Sequence, residues 1–284
     1  MPTRLYLILA LALFSVSTTS LVIRYLAAVP AVVMAFWRMF TASGLLWGYS
    51  ALQPAGRLSN KNRFHIILAG LFLGGHFACF FAGVRLTTIA NATLLGNVAP
   101  VFTALLERLH GQAWNRATVL GLILSLAGAV IIQGGGLTNP ENTAGNGLAL
   151  LSSLFMALAW IQAKTIRKNT HTVVYSRHLF LIAAGTILFV VFLAGYSPFD
   201  FERQHLPWFL FLGLVPSVLG HNLLNYAVRF ISSTAVASVV LGEPILASFF
   251  GFILFQEAMP PASLIGGPMI IIGLYYILSN QSPD

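Results

Sequence analysis

Residues 82–105, AGVRLTTIANATLLGNVAPVFTAL, and residues 226–249, YAVRFISSTAVASVVLGEPILASF, are two versions of one pattern offset by 144 positions. The ungapped correspondence extends from 82–132 onto 226–276 and places Val84 on Val228, Arg85 on Arg229, Pro100 on Pro244, Gln112 on Gln256 and Leu120 on Leu264. Upstream the offset drifts to 140 and then 139, pairing Arg24 with Lys164 and Arg38 with Arg177. The chain is built twice on one plan.

Composition identifies the solvent. Of 284 residues, 57% are hydrophobic and 8% charged, against about a quarter charged in a soluble domain, so most of the chain must lie in lipid. The net charge of +8 does not indicate a nucleic-acid face, because the 15 Lys and Arg residues are scattered singly or in threes between apolar runs. They read as topology signals at helix ends. A single cysteine, Cys79, rules out an internal disulfide and reads as a small buried hydrophobe beside Phe77, Phe80 and Phe81.

Apolar stretches long enough for a hydrocarbon core of about 30 Å number ten. They run 4–23, 31–52, 64–84, 88–107, 117–134, 146–165, 173–195, 207–227, 233–254 and 261–279. The turn-rich stretch 134–147 divides them into repeat units 1–137 and 144–284, with five spans each. With the N terminus in the cytoplasm, that side receives Arg4, Arg57, Lys61, Arg63, Arg108, Arg116, Lys164, Arg167, Lys168 and Arg229. The opposite side receives Arg24, Arg85 and Arg203. This asymmetry puts both termini in the cytoplasm. Five crossings per half then invert the second repeat relative to the first, as in many secondary transporters. The expected fold is all-α and integral to the membrane: ten transmembrane helices as two inverted five-helix repeats. Arg4 ahead of the first apolar run also outlines a signal peptide, but the run is long and has a counterpart at 146–165, so it is expected to be retained.

Several motifs resemble a known family. Leu241-Gly242-Glu243-Pro244-Ile245-Leu246-Ala247-Ser248, followed by Leu254-Phe255-Gln256-Glu257 and Leu264-Ile265-Gly266-Gly267, resembles the second repeat of EamA-domain transporters of the drug/metabolite transporter superfamily. Asn97-Val98-Ala99-Pro100-Val101-Phe102-Thr103-Ala104-Leu105 is similar to that family's fourth span, and Phe36-Trp37-Arg38 to its second. The resemblance implies a central cavity lined mainly by spans one, three, four, six, eight and nine, with spans five and ten peripheral. It also implies export of a metabolite, with amino acids the first substrates to consider and drugs or nucleotide derivatives the alternative. Leu73-Gly74-Gly75-His76-Phe77 has glycines where amino-acid exporters of the group can carry bulkier aromatic residues, which implies a wider or differently shaped pocket.

Intramembrane polar groups need a partner or a role. Glu243, just before Pro244, suits an amine or a transferable proton; a structural acid at the kink satisfies the same pattern. Pro100 and Pro244 stand at matched depth as hinges or as static bends. Ser217, His221 and Asn225 follow one another at i, i+4 and i+8, one face of span eight directed into the bundle or a watered cavity. Asn97 suits a zwitterion or sugar, or an interhelical hydrogen bond. His76 is a candidate for substrate or proton binding, or for a local bond. Trp160 offers an aromatic wall or an interfacial anchor. The substrate-binding set is thus His76, Asn97, Trp160, His221, Asn225 and Glu243. Arg38 and Arg177 read as structural, with helix carbonyls or Glu107 as acceptors. Lys164, Arg167 and Lys168 read as a solvated topological triplet. Two Gly-x6-Gly pairs, Gly121 with Gly128 and Gly266 with Gly273, read as close packing within the bundle, with a homodimer seam the alternative.

The seven acids, with no nucleotide-binding glycine loop and no metal-spaced cluster, exclude an ATP-driven motor within the chain. No cofactor, metal or catalytic residue is expected. A membrane enzyme would need paired catalytic groups, whereas Glu107 and Glu257 fall on opposite sides of the bilayer. A channel would need polar rings. The expectation is a monomeric inner-membrane carrier whose partners are a small solute and the lipid.

Overall fold

The computed structural model describes residues 2–133, 137, 139–256 and 261–281. The hinge glycines Gly134, Gly135 and Gly136, Glu257 and the side chain of Arg24 lie outside the described residues. Every regular element among the described residues is helical, one of the two ways in which a chain can satisfy its own backbone where lipid offers no partners. Among the described residues nine helices are long and apolar enough to cross a membrane: α1 (Thr3–Ile23), α2 (Ala31–Leu52), α3 (Asn60–Leu86), α4 (Ile89–Leu109), α5 (Arg116–Gln133), α6 (Pro140–Arg167), α7 (Thr172–Leu193), α8 (Arg203–Ala227) and α9 (Ser233–Leu254). The tenth, α10 (Ser263–Ser279), has 17 apolar residues, at the short end of the crossing range. Each expected span corresponds to one of these helices.

The repeat is visible in what packs on what. Helices α2, α4 and α5 each pack on their own counterparts α7, α9 and α10. The contacts of α3 with α6 and α7 of the other half recur as those of α8 with α1 and α2. These are the pairings that a two-fold axis in the membrane plane generates. The halves interleave, so neither has a private core.

Glycines set the closest approaches. A Cβ on Gly70 of α3 would stand 2.5 Å from Ile182 Cβ on α7, and one on the equivalent Gly213 of α8 would stand 2.8 Å from Thr41 Cβ on α2. On the α5–α10 seam the contacts are reciprocal: Gly121 lies against the Gly273 carbonyl and Gly128 against the Gly266 carbonyl, a Cβ at either meeting that oxygen at 2.5 Å. Both Gly-x6-Gly pairs are thereby occupied inside one chain. Gly74 and Gly75 correct an expectation. They do not line the cavity; Gly74 packs on Thr186 of α7 and Gly75 on the Phe155 ring of α6, so these glycines seat helices and do not widen the pocket.

Both α4 and α9 are interrupted at mid-length. The first comprises Ile89–Gly96 and Ala99–Leu109, separated by Asn97 and Val98. The second comprises Ser233–Val239, a 3-10 turn Val240–Gly242, and Glu243–Phe255. Pro100 and Pro244 therefore sit in the first turn of a new half-helix, where a missing N–H breaks no bond, and the discontinuity precedes the proline. The two helices also start alike. Thr88 and Ser232, 144 apart, each accept from the N–H three residues on, at 3.1 Å in both cases.

Helix α8 is π-helical over Gly213–His221, with Pro216 inside it.

Candidate functional site

A cavity of about 150 Å³ lies between the two helix interruptions. It reaches Ile23 near the end of α1, Val84 near the end of α3, Ile89 at the start of α4 and Gln133 at the end of α5, and so extends from mid-bundle to the face opposite both termini. Helices α1, α3, α4, α6, α8 and α9 contribute to the wall; Arg38 of α2 and Gln133 of α5 join them.

At its centre, Asn97 Nδ2 donates to Glu243 Oε2 at 2.7 Å and lies 3.5 Å from the Val240 carbonyl, the oxygen that Pro244 cannot bond. The bond crosses the repeat axis, from one helix break to the other. Breaking each helix here turns backbone groups and an N-terminal dipole toward the cavity, an arrangement suited to polar solutes.

An aromatic and cationic cluster forms the opposing wall. The Arg38 guanidinium carbon lies 4.7 Å from the Phe77 ring centroid, and His76 and His221 both meet that ring edge to face, at 4.8 and 5.8 Å. Arg38 Nε donates to Ser217 Oγ at 3.0 Å, which itself donates to the Leu212 carbonyl at 2.9 Å. His76 Nδ1–H donates to the Ser152 carbonyl at 2.9 Å, which fixes the ring's orientation. Phe80 stacks on His76, and Trp160 completes the wall from α6, buried inside the bundle and not anchored at an interface.

Five of the six expected binding residues, His76, Asn97, Trp160, His221 and Glu243, are thus brought together. Asn225 is not among them. It is buried on the α7 side, where its Nδ2 donates to Ser176 Oγ at 3.0 Å and its carbonyl accepts from Arg167 Nε at 2.9 Å. Asn225 nonetheless borders a small pocket with Met156, Trp160 and His221, and Ser217 and His221 both reach the Arg38–Phe77 cluster, so the expected stripe keeps to one side of α8 despite the π-helical geometry of Gly213–His221. Only the proline and glycines of that segment (Gly213, Pro216, Gly220) hinted at it.

The paired arginines also part company. Arg177 lies over the Trp47 ring at 4.2 Å and donates to the Gly56 carbonyl at 3.2 Å, away from the cavity, whereas Arg38 is in its wall. Glu107 serves neither. Its Oε1 accepts from Ser233 N at 2.7 Å and its Oε2 from the Thr234 hydroxyl at 2.6 Å, which caps the first turn of α9. This bond belongs to a layer that closes the bundle on the terminus side. Lys164 Nζ donates to the Ile231 carbonyl at 3.0 Å, and Asn62 bridges α3 to Asn169 and Thr170. Arg167 corrects another expectation: it is 1% exposed, not solvated, and donates to the Asn225 and Thr170 carbonyls and to the Thr172 hydroxyl. Only Lys168 of the triplet is exposed. Beyond the layer, a cleft of about 380 Å³ lined by Glu107, Arg108, Trp114 and Lys164 shares no wall residue with the central cavity.

Ten helices in two inverted repeats, closed on one side around a largely apolar cavity that carries a few convergent polar groups, define a multi-pass membrane transporter. The chain belongs to the EamA-like transporter family, which it matches over residues 3–134 and 143–279. It is 28% identical over 261 residues to an uncharacterized transporter of Archaeoglobus fulgidus, covering 87% of this chain and 88% of that one. It is 24% identical over 274 residues to the pseudopaline exporter CntI of Pseudomonas aeruginosa (strain UCBPP-PA14), covering 94% and 93%. A crystal structure with 18% identity superimposes with a TM-score of 0.83 over 97% of this chain and 96% of the other, which is a likeness of fold. Family and relatives are transporters, so the chain is a transporter and not an enzyme.

Proposed function

We propose that this protein exports a small metabolite, amino acids and related amphipathic solutes first, across the inner membrane by alternating access, with both termini in the cytoplasm. The observation that carries the reading is the Asn97–Glu243 bond between the two helix breaks, at the head of a cavity sealed on the terminus side. Its small volume favours a compact solute over drugs or nucleotide derivatives, whose pockets run to about 300–1,000 Å³. Likeness to the pseudopaline exporter supports the direction. The half-helices that begin at Pro100 and Pro244 are the units that would rock, and the solvated charge asymmetry supports the orientation.

The test is counterflow in proteoliposomes with a panel of labelled amino acids, with and without a pH gradient, for the wild-type protein and Glu243→Gln. Exchange of labelled for unlabelled solute supports a carrier. Proton coupling gains support when the gradient drives accumulation in wild type only. Absence of counterflow for every solute, with chemical conversion of one, sinks the reading.

A further inference from the structure

Three buried polar atoms on residues of the cavity wall have no hydrogen-bond partner among the described residues: Arg38 Nη2, Thr19 Oγ1 and Gln133 Oε1. Arg38 is the most consequential, being 2% exposed. Its Nε is held by Ser217 and its face by Phe77, so the guanidinium is fixed in place with one edge unused. A buried cation with an unmet donor is costly unless something arrives to accept from it. The acceptor that fits a guanidinium edge best is a carboxylate.

The obvious internal carboxylate does not fill that role. Glu243 shares the cavity, yet its Oε2 is engaged by Asn97, and among the described residues no hydrogen bond joins it to Arg38 Nη2. The cavity thus presents a cation and an acid that are each tethered to a different partner. Between them the wall is apolar and aromatic, from Phe77, Phe80, Met156 and Trp160. A solute with opposite charges at one end and an apolar body matches all three features.

We propose that Arg38 is the carboxylate-binding residue of the cavity, and that the transported solute is a small zwitterion with its carboxylate on Arg38 Nη2 and its ammonium on the Glu243 side. The proposal rests on the carrier reading above and narrows its substrate class. It also separates Arg38 from Arg177, which likewise leaves one buried donor, Nε, unmet but lies against Trp47 and Gly56, outside the cavity wall.

Equilibrium binding to the purified full-length protein tests this without requiring transport. The probe is whichever of the twenty standard amino acids gives the largest thermal shift, compared with its carboxamide and with its decarboxylated amine. Wild type is expected to bind the acid at least about thirtyfold more tightly than either analogue. In Arg38→Gln that ratio is expected to fall to near one, and Arg38→Lys to restore part of it. A purely structural arginine would weaken all three ligands alike, so an unchanged ratio in Arg38→Gln overturns the proposal. Should the variant fail to fold, the wild-type series decides: equal affinity for acid and amide, or no shift with any amino acid, is also an overturning result. Counterflow of some other solute class alongside such a result would leave the carrier reading standing and remove only the zwitterion.

Discussion

Removing the Glu107 carboxylate should loosen the terminus face at one identifiable point. Glu107 is 8% exposed, and its two oxygens take the Ser233 N–H and the Thr234 hydroxyl at 2.7 and 2.6 Å, with the Thr234 N–H at 3.4 Å. Ser232 Oγ takes the next N–H, that of Ala235, so the first turn of α9 is capped by two separate side chains. Glu107→Ala strips two short bonds to a charged acceptor and leaves buried donors behind, a loss of about 2–4 kcal/mol for opening that turn. At about 1.4 kcal/mol per decade, amide exchange there should accelerate by about thirtyfold to several hundredfold. Hydrogen–deuterium exchange read at Ser233 and Thr234, with the α5–α10 seam as the internal control, measures it. Equal protection in wild type and variant at both residues would refute the claim that this carboxylate holds the face shut.

Three further outcomes follow from the packing. Gly128→Ala puts a Cβ 2.5 Å from the Gly266 carbonyl and should cost about 1–3 kcal/mol, seen as a lower unfolding temperature in detergent, while Gly147→Ala, with nothing within 4 Å, should leave it unchanged. Arg167→Gln should destabilise by about 1–3 kcal/mol and Lys168→Gln by less than about 0.5, because only the first strands buried acceptors that a cation now serves; similar unfolding midpoints would contradict the assignment. Asn97→Leu, which copies the residue at the equivalent position of the other repeat, removes the donor to Glu243 and should abolish most counterflow without changing expression; retained flux would show that the bond across the breaks is dispensable.

The sequence carried the fold because hydropathy, loop charge and the offset of 144 each report a property of the chain alone. The caps at Thr88 and Ser232 show how literal that offset is. What it hid were features decided by a partner. Gly74 and Gly75 look like empty space in a motif, and only the position of Thr186 and Phe155 shows that the space is taken. Arg38 and Arg177 correspond in the repeat, yet one faces Phe77 and the other Trp47, since the neighbours supplied by the opposite half differ. Arg167 is placed like a loop charge in the sequence, but three acceptors from Asn225, Thr170 and Thr172 enclose it. Asn225 stays beside His221 and Trp160 but outside the main cavity wall, held by Ser176, a partner that spacing along α8 does not name.

Glu107 has one more consequence, seen through its repeat partner. An offset of 144 leads from Glu107 to Gly251, which has no side chain with which to accept anything. In a perfectly two-fold carrier the two facing states would be mirror conformers of equal free energy, each half adopting the shape the other had just left. Here the clasp that fastens one face has no twin to fasten the other. Under the alternating access proposed above, the two states are expected to differ in occupancy before any solute or gradient acts, and a single acid written into one repeat alone would help set the resting posture.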